Sequence, residues 1–226
     1  MKFHYYGHSC FSLTANNKTL LFDPFISDNP KVNTIDIENI QCDYILLSHG
    51  HADHIADCQS IAKRTGAKVV CAWEIHEWLN KKGIENTHPM NTGGSWDFGD
   101  FKVKCVVAQH SSGLPDGSYG GSPMGFIIWL GDQTIYFAGD TALTMDMELI
   151  PRWATIDYAI LPIGDNFTMD ARDAAMAADM VETKHVIGVH FDTFGFIEIN
   201  QNDALETFKP FGVKLTIPEI DKSIDL

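Results

Sequence analysis

Residues 46–55 read Leu46-Leu47-Ser48-His49-Gly50-His51-Ala52-Asp53-His54-Ile55, so three histidines and one aspartate follow directly on an apolar run. Neither a hydrophobic core nor an ordinary loop uses imidazole at that density. A metal site does, because neutral imidazole and carboxylate are ligands of zinc, manganese and iron. His49 and His51 are two residues apart in an extended segment and can project to one side, whereas Asp53 and His54 lie where the chain turns into a helix. The stretch therefore predicts two neighbouring metal positions, and its lack of cysteine disfavours a purely structural zinc site.

Further ligand types follow other apolar runs, each at the end of a predicted strand. His110 follows KCVVAQ, Asp140 follows TIYFAG and His190 follows HVIGV, just as His49 follows DYILLS. Strand ends are rigid points of a fold, so ligands mounted there keep their geometry without an ordering cost at binding. Four such ends that converge would form a metal-binding cleft at one rim of the sheets.

The rest of the chain mixes strand and helix patterns without repeats, which predicts an α/β chain with mixed sheets. Strong strand patterns include residues 43–48, 68–72 and 157–164, and residues 111–125 form a Gly/Ser-rich surface loop. We expect helices over about 55–64 after an Asp53 cap and before Gly66, over 73–82, over 171–182 after an Asp170 cap, and over 201–208. No break in composition divides the chain, so we expect one domain over residues 1–226.

Composition narrows the classes of partner and the compartment. The formal net charge is −14, which disfavours nucleic acid and anionic membrane surfaces as partners. No apolar run approaches the ~18 residues of a membrane span, and the first residues lack the apolar core of a secretory signal. The five cysteines are scattered and form no CxxC pair, as is typical of reduced, buried thiols in a cytoplasmic protein.

These residues resemble the metallo-β-lactamase superfamily, whose HxHxDH signature stands here at residues 49–54. The later signals of the superfamily follow in order at His110, at Asp140 in Gly-Asp-Thr, and at His190 in Val-His-Phe. Within it, the chain is most similar to the UPF0173 metal-dependent hydrolases, which are related to the ascorbate-6-phosphate lactonases. The segments that carry this likeness are Tyr6-Gly7-His8-Ser9-Cys10-Phe11, Met90-Asn91-Thr92-Gly93-Gly94, Ala108-Gln109-His110-Ser111-Ser112 and Leu161-Pro162-Ile163-Gly164.

The resemblance implies an αββα sandwich of two mixed sheets flanked by helices, with the site at one edge. It also implies two divalent ions per chain, with zinc preferred and manganese, iron or nickel as alternatives that the same ligands accept. The implied ligands are His49, His51 and His110 for one ion, Asp53, His54 and His190 for the other, and Asp140 as the bridge.

Two such ions, about 3.5–4 Å apart, can share a water and lower its pKa from ~15.7 toward neutrality. The resulting hydroxide attacks a carbonyl carbon or a phosphorus, which predicts a hydrolase for a small ester, lactone or phosphoester. Asp53, next to that water, is a predicted proton acceptor as well as a ligand. His8 is predicted to protonate the leaving group or to stabilise an oxyanion, with a structural, hydrogen-bonded histidine as the alternative.

Several residues keep two interpretations. Asn166 stands where many relatives have histidine, so it is an expected substrate contact that changes either the specificity or the proton chemistry and not the number of metal ions. Ser111 is a second expected substrate contact, because it opens the loop directly after His110, and that loop is either a gating flap or a simple connection. Asp23, in Phe-Asp-Pro, either orients a ligand histidine or forms a turn, and the Asp-Pro pair favours the turn.

Three other functions remain to be weighed. A phosphodiesterase or nuclease of the same fold is disfavoured by the charge of −14. A redox di-iron centre is disfavoured because the oxygen-reducing branch usually replaces the second motif histidine, here His51, by glutamate and carries a flavin domain. A metal-binding module without catalysis is disfavoured by the intact ligand set. A small-molecule substrate is the expected partner, and a homo-oligomer is left open.

Overall fold

Fourteen strands form two sheets of seven in the computed structural model, which describes residues 1–226. The strands are β1 (Lys2–Gly7), β2 (Cys10–Ala15), β3 (Lys18–Phe22), β4 (Tyr44–Leu46), β5 (Lys68–Ala72), β6 (Thr87–Met90), β7 (Ser95–Asp97), β8 (Phe101–Val107), β9 (Met124–Leu130), β10 (Gln133–Phe137), β11 (Tyr158–Pro162), β12 (His185–Val189), β13 (Lys214–Thr216) and β14 (Lys222–Asp225). The α-helices are α1 (Ala52–Ile55), α2 (Cys58–Thr65), α3 (Trp73–Lys81), α4 (Ala171–Met180) and α5 (Gln201–Phe208). Short 3-10 helices cover Ile37–Asn39, Met145–Arg152, Gly195–Ile197 and Lys209–Phe211.

Both sheets are mixed. The first has the order β14-β1-β2-β3-β4-β5-β6, and the second has the order β13-β12-β11-β10-β9-β8-β7. Pairing is antiparallel from β14 to β3 and from β7 to β10, and parallel from β3 to β6 and from β10 to β13. The predicted fold class, two mixed sheets flanked by helices, is confirmed.

Aromatic rings join the inner faces of the two sheets. Phe11 on β2 stacks on Phe22 of β3 at 4.5 Å, and both meet the edge of Phe137 on β10, at 5.0 Å and 5.6 Å between ring centroids. All three rings are fully buried, so replacing one by alanine would cost about 3–5 kcal/mol. Helices α2 and α3 cover the outer face of the first sheet, and the buried alanines of α4 let that helix lie close to the second.

Strand direction brings strand ends from both sheets to one edge of the sandwich, and six of these strands lead into residues of the site. In the first sheet β1, β3 and β4 run the same way, because β1 and β3 are both antiparallel to β2 and β4 is parallel to β3. In the second sheet β8, β10 and β12 share a direction by the same reasoning. Every one of these six strands is followed by a titratable residue at or just beyond its end, which gives the edge its chemistry.

One helix boundary differs from the sequence-based expectation. The helix expected over 55–64 is divided into α1 and α2, and Asp53 lies inside α1 and caps nothing. The helix is interrupted at Asp57 because its backbone N–H donates to the Pro24 carbonyl (3.0 Å) and not to the preceding helical turn. The Asp57 carboxylate accepts from the N–H groups of Ile26 (2.6 Å) and Ser27 (2.9 Å). That exchange ties the loop after β3 to the helix that follows the histidine motif.

Other helix ends agree with the sequence-based expectation, whereas two short strands differ from it. Gly66 ends α2 in the left-handed conformation, and the Asp170 carboxylate caps α4 by accepting from the Asp173 N–H (2.7 Å). Strands β6 and β14 were not expected, because their short polar sequences lack an apolar alternation. All five cysteines are buried free thiols, and no helix has the length and apolarity needed to cross a bilayer.

Candidate metal centre

Three histidines form the first cluster of possible ligands. His49 follows β4, His51 lies two residues on, and His110 follows β8. One ring nitrogen from each lies within 4.8 Å of the other two, and His49 Nε2 is 2.9 Å from His51 Nδ1. Because His49 is fully buried while His51 and His110 are partly exposed, this cluster opens toward solvent.

A second cluster contains a carboxylate and three histidines. Asp53 and His54 come from α1, His190 follows β12, and His8 follows β1. Their ligand atoms also lie within 4.8 Å of one another, with His8 Nε2 at 3.2 Å from Asp53 Oδ2. His8 therefore belongs to the same group as three residues that the sequence assigned to one ion.

Asp140 lies between the two clusters. Its Oδ2 atom is 3.0 Å from His190 Nε2 and 3.2 Å from His54 Nε2 on one side, and 3.7 Å from His110 Nε2 and 3.9 Å from His49 Nε2 on the other. The Asp140 Oδ1 atom and His54 Nε2 are buried without a hydrogen-bond partner. Such atoms are costly to bury unless a cation satisfies them, so the residues fit divalent ions.

A buried hydrogen-bond network orients two of the histidines. Asp23 Oδ2 lies 2.8 Å from His54 Nδ1 and accepts from the Ser48 hydroxyl at 2.6 Å, and Asp23 Oδ1 accepts from the Ser48 N–H at 2.8 Å. Because the Ser48 hydroxyl donates its one proton to Asp23, it accepts from His49 Nδ1–H at 2.9 Å. The Nε2 atoms of both histidines are thereby turned toward Asp140.

The turn interpretation of Asp23 is therefore incomplete. Asp23 does sit in a turn, with φ at +41°, but it is fully buried and its carboxylate orients His54. The Asp-Pro pair in the sequence concealed this second role. The sequence did carry a signal for this role, because Asp23 directly follows β3 just as His8 follows β1 and His190 follows β12.

An exposed serine hydroxyl orients the ring of His51. Its Nε2 atom is 3.2 Å from the hydroxyl of Ser111, which leaves Nδ1 facing His49. Ser111 thus contacts a ring of the first cluster. The loop that it opens is tied down, because the Ser112 hydroxyl accepts from the Gly50 N–H (3.0 Å) and the Trp78 indole N–H donates to Asp116 (2.6 Å).

Asn166 is not brought against the clusters. It lies in an exposed turn after β11 with φ at +54°, and its N–H donates to the carboxylate of the preceding Asp165 (2.6 Å). The turn is at the same edge of the sheets, since β11 is parallel to β10 and β12.

Burial and charge shift the pKa values of these groups in different directions. Burial lowers the pKa of His54, but Asp140 and Asp23 outweigh it and hold that pKa well above its ordinary value of 6.5. Burial likewise raises the pKa of Asp140, but His190 and His54 bring it well below the usual range. Burial together with His190 lowers the pKa of His8 to about 4. Asp140 is therefore charged and His8 neutral at pH 7.

The backbone at His8 and His190 is held in an uncommon conformation. Both residues have positive φ, +56° and +57°, and the His190 N–H donates to the His8 carbonyl at 2.9 Å. Left-handed backbone at non-glycine residues costs about 1–3 kcal/mol and is found most often at functional sites. Thr193, which the sequence did not single out, places its hydroxyl 2.9 Å from His8 Nδ1. Its only sequence signal is its position three residues after His190.

Comparison with known proteins agrees with this arrangement. Residues 18–191 match the beta-lactamase superfamily domain, a span that contains every predicted metal ligand. A UPF0173 metal-dependent hydrolase of Flavobacterium johnsoniae is 50% identical over 226 residues and covers the whole of both chains. Another of the same description, from Methylacidiphilum infernorum, is 48% identical over the same length.

A solved structure extends the likeness to three dimensions. Igni18, described as a novel metallo hydrolase from the archaeon Ignicoccus hospitalis, superposes with a TM-score of 0.88 at 30% identity. The alignment covers 99% of this chain and 97% of Igni18, so the likeness extends over both sheets.

Proposed function

This chain belongs to the beta-lactamase superfamily and to its UPF0173 metal-dependent hydrolases, and on that premise we propose that it uses two divalent ions to hydrolyse a small ester, lactone or phosphoester. The proposal rests chiefly on one observation. Asp140 Oδ2 lies within 4 Å of histidines from both clusters, as a carboxylate shared by two ions must.

In this proposal His49, His51 and His110 hold one ion, Asp53, His54 and His190 hold the other, and Asp140 bridges them. When bound, a pair of divalent ions would supply a water of lowered pKa and polarise the carbonyl or phosphoryl oxygen of the substrate. The chain contributes the placement of the ligands and their orientation by Asp23 and Ser48. The donors suit zinc, and they also accept manganese, iron and nickel.

Asp53 and His8 carry the proposed proton transfers. Asp53 Oδ2 is 3.2 Å from His8 Nε2, and the pKa of His8, lowered to about 4 by burial and His190, keeps the ring neutral at pH 7. The Thr193 hydroxyl donates to the Phe191 carbonyl at 3.3 Å, so it accepts from Nδ1–H of His8, and the Nε2 atom of the neutral ring faces the cluster without a proton. His8 would then take a proton from the water at Nε2, through Asp53, and give that proton to the leaving oxygen.

We propose Ser111 and Asn166 as substrate contacts, and Ser111 has more structural support than Asn166. Ser111 already contacts His51, so we expect it to act through that ring as well as on substrate. Asn166 would have to reach substrate from its exposed turn.

The wider features follow from the same residues. We propose a single domain over residues 1–226, because both sheets contribute to one cluster. Five buried free thiols favour a cytoplasmic protein, and the charge of −14 favours a small molecule over nucleic acid as the substrate. A homo-oligomer is left open, and sedimentation of the purified chain would measure the number of copies.

Metal content and hydrolysis, measured together, test the proposal. Protein purified without chelator or affinity nickel should contain close to two ions per chain by elemental analysis, and an Asp140→Ala variant should fall well below one. A library of lactones, esters and phosphoesters should be cleaved by the loaded chain and not by that variant. Reproducible absence of metal, even after zinc, manganese or iron is added, would refute the dinuclear hydrolase.

The role of His8 has its own test. Replacing His8 by alanine should lower kcat by about 10²–10⁴-fold while two ions remain bound. Thr193→Val should lower kcat less and shift the pH profile, because only the orienting hydroxyl is lost, whereas Thr193→Ser should restore it. Loss of metal from the His8 variant would instead make His8 a ligand or a structural residue.

A further inference from the structure

Large aromatic side chains lie exposed at the edge that carries the clusters. Phe196 is 77% exposed and Phe167 is 51% exposed, and their rings approach to 6.3 Å at a steep angle. Phe194 precedes Phe196 by two residues and is partly exposed. Its ring lies 6.3 Å from the ring of Phe25, which is buried. We call these four residues the aromatic rim.

The rim is continuous with the catalytic residues. Phe194 and Phe25 each meet the ring of His8 edge-on at 5.5 Å, and His8 Nε2 is 3.2 Å from Asp53. The loop of Phe167 is joined to the site as well, because the Met169 N–H donates to the carbonyl of Thr141, next to Asp140, at 3.1 Å. A molecule bound next to His8 would therefore lie beside the rings of Phe25 and Phe194, and the loop that carries Phe194 leads to Phe196 two residues further on.

The most exposed ring stands on a fixed loop. The Asp192 carboxylate accepts from the Ile199 N–H and from the Gln201 side-chain amide, both at 2.9 Å. The Asp192 N–H donates to the Ile197 carbonyl at 2.7 Å, which closes the loop around Phe196. This loop is held in place by hydrogen bonds and keeps an apolar ring exposed to water. Covering that ring with another apolar group would lower the free energy.

Positive charge is nearly absent from the same edge. The loops at residues 23–36, 48–57, 108–123, 138–146, 163–170 and 190–200 contain twelve acidic residues, one lysine and no arginine. The lysine, Lys31, is exposed and lines a cavity of about 330 Å³ together with Glu219, which offsets its charge. Two divalent ions would attract a phosphoryl group by themselves, but enzymes that recognise one normally add several arginine or lysine side chains, and this edge offers none beside Lys31.

We propose that the aromatic rim seats an apolar acyl or aryl group, and that the substrate class is an uncharged carboxylic ester or lactone with such a group. This inference rests on the proposed hydrolase function and narrows it. In the reaction, a water oxygen bonds to the carbonyl carbon and the bond from that carbon to the leaving oxygen breaks. One water proton goes to the leaving oxygen, and the other goes to solvent as the carboxylate forms.

Three matched compounds test the substrate class on the metal-loaded full chain: p-nitrophenyl hexanoate, p-nitrophenyl acetate and bis-p-nitrophenyl phosphate. We expect kcat/KM for the hexanoate to exceed that for the acetate by at least about tenfold, and the phosphodiester to be the poorest. Phe196→Ser and Phe167→Ser should each raise KM for the hexanoate several-fold and raise KM for the acetate much less, because the acetyl group is too short to cover the rings. Trp96→Ser is the control, since Trp96 is 52% exposed on β7 at the far edge of the second sheet.

Calorimetry of carboxylate binding gives a readout that does not depend on turnover. Hexanoate should bind the loaded chain at least tenfold more tightly than acetate, and Phe196→Ser should remove most of that difference. Equal binding of the two carboxylates would overturn the inference.

Other outcomes separate the inference from the proposed function. Faster cleavage of the phosphodiester than of either ester would overturn the substrate class and leave the dinuclear hydrolase intact. If Phe196→Ser dissociated an oligomer in sedimentation without changing hexanoate binding, the rim would be a contact between copies of the chain, and the inference would fail. No metal-dependent cleavage of any compound would refute the hydrolase and the inference together.

Discussion

The two sides of the centre use the same kind of ligand in different surroundings. On the buried side, Asp23, Ser48, His49 and His54 are at most 1% exposed and are linked by hydrogen bonds of 2.6–2.9 Å. On the open side, His51 and His110 are partly exposed, and the orienting partner of His51 is an exposed serine hydroxyl at 3.2 Å. The buried side is preorganised by packing, whereas the open side is held by fewer and more hydrated contacts.

This difference teaches where rigidity is needed. A buried carboxylate with two partners fixes a ring far more strongly than one exposed hydroxyl, because its alternatives in water have been removed. The open side must admit substrate, so its ligands cannot be covered in the same way. Each prediction below measures one side against the other.

The largest effect is expected at Asp23. Asp23→Ala would leave His54 buried with an unpaired nitrogen and Ser48 without its acceptor, so the free energy of unfolding should fall by about 3–5 kcal/mol. Affinity for the ion that His54 helps to hold should fall about 10–100-fold, and the ion that His49 helps to hold should be weakened as well, because Ser48 orients His49 only while it donates to Asp23. Urea unfolding and metal titration measure the two quantities, and Asp23→Asn, which keeps the volume, is the control. A stability within 1 kcal/mol of the parent (less than about a tenfold change in equilibrium constant) would mean that the network does not hold the buried side.

A smaller effect is expected at Gly164, behind His190. A Cβ atom there would clash with the His190 carbonyl oxygen, so the backbone of that ligand must shift in Gly164→Ala. We expect a loss of about 1–3 kcal/mol in stability and weaker binding of one ion. Gly113→Ala is the matched control, because nothing lies within 4 Å of its added Cβ. Equal metal binding by the two variants would show that His190 tolerates displacement.

The pH dependence of metal uptake should also distinguish the sides. Although burial lowers it, the pKa of His54 is held well above 6.5 by Asp140 and Asp23, so without metal this ring is protonated at pH 7. Burial lowers the pKa values of His51 and His110, so both are neutral there. An ion on the buried side must displace the His54 proton, and its affinity should therefore rise with pH, by up to about tenfold per unit, until the pH passes that pKa. The open side should show no such rise above pH 7.

Calorimetry in buffers of different ionisation enthalpy counts the protons released. We expect about one to two protons for the pair of ions at pH 7, one from His54 and up to one from the water whose pKa the ions would lower. Release of three or more would mean that the open histidines are protonated as well, which is the opposite of their lowered pKa values.

The smallest effect is expected at Ser111. Ser111→Ala removes one exposed hydrogen bond to His51, so affinity for the ion on the open side should fall less than about tenfold and stability should hardly change. Metal titration of this variant, set beside Asp23→Ala, compares the two orienting groups directly. If Ser111→Ala released an ion as readily as Asp23→Ala, the contrast between the sides would be lost.

Several residues show why the sequence could not describe the centre completely. The motif and the three later strand ends could be recognised because each ligand is adjacent in sequence to its strand. Thr193 could not, because its partner His8 is 185 residues away and only the pairing of the sheet ends brings them together. Asp23 was misjudged for a related reason: its turn is a local property, while its bond to His54 spans 31 residues.

The sequence by itself determined the type of fold, the chemical nature of the ligands and the order in which they occur, since periodicity and ligand spacing are local. The tertiary structure decided which of those ligands are preorganised, where Asp140 lies between them, and that an aromatic rim with almost no positive charge surrounds them. Those properties depend on burial and on distances between segments far apart in the chain. They exist only once two sheets have brought six strand ends to one edge.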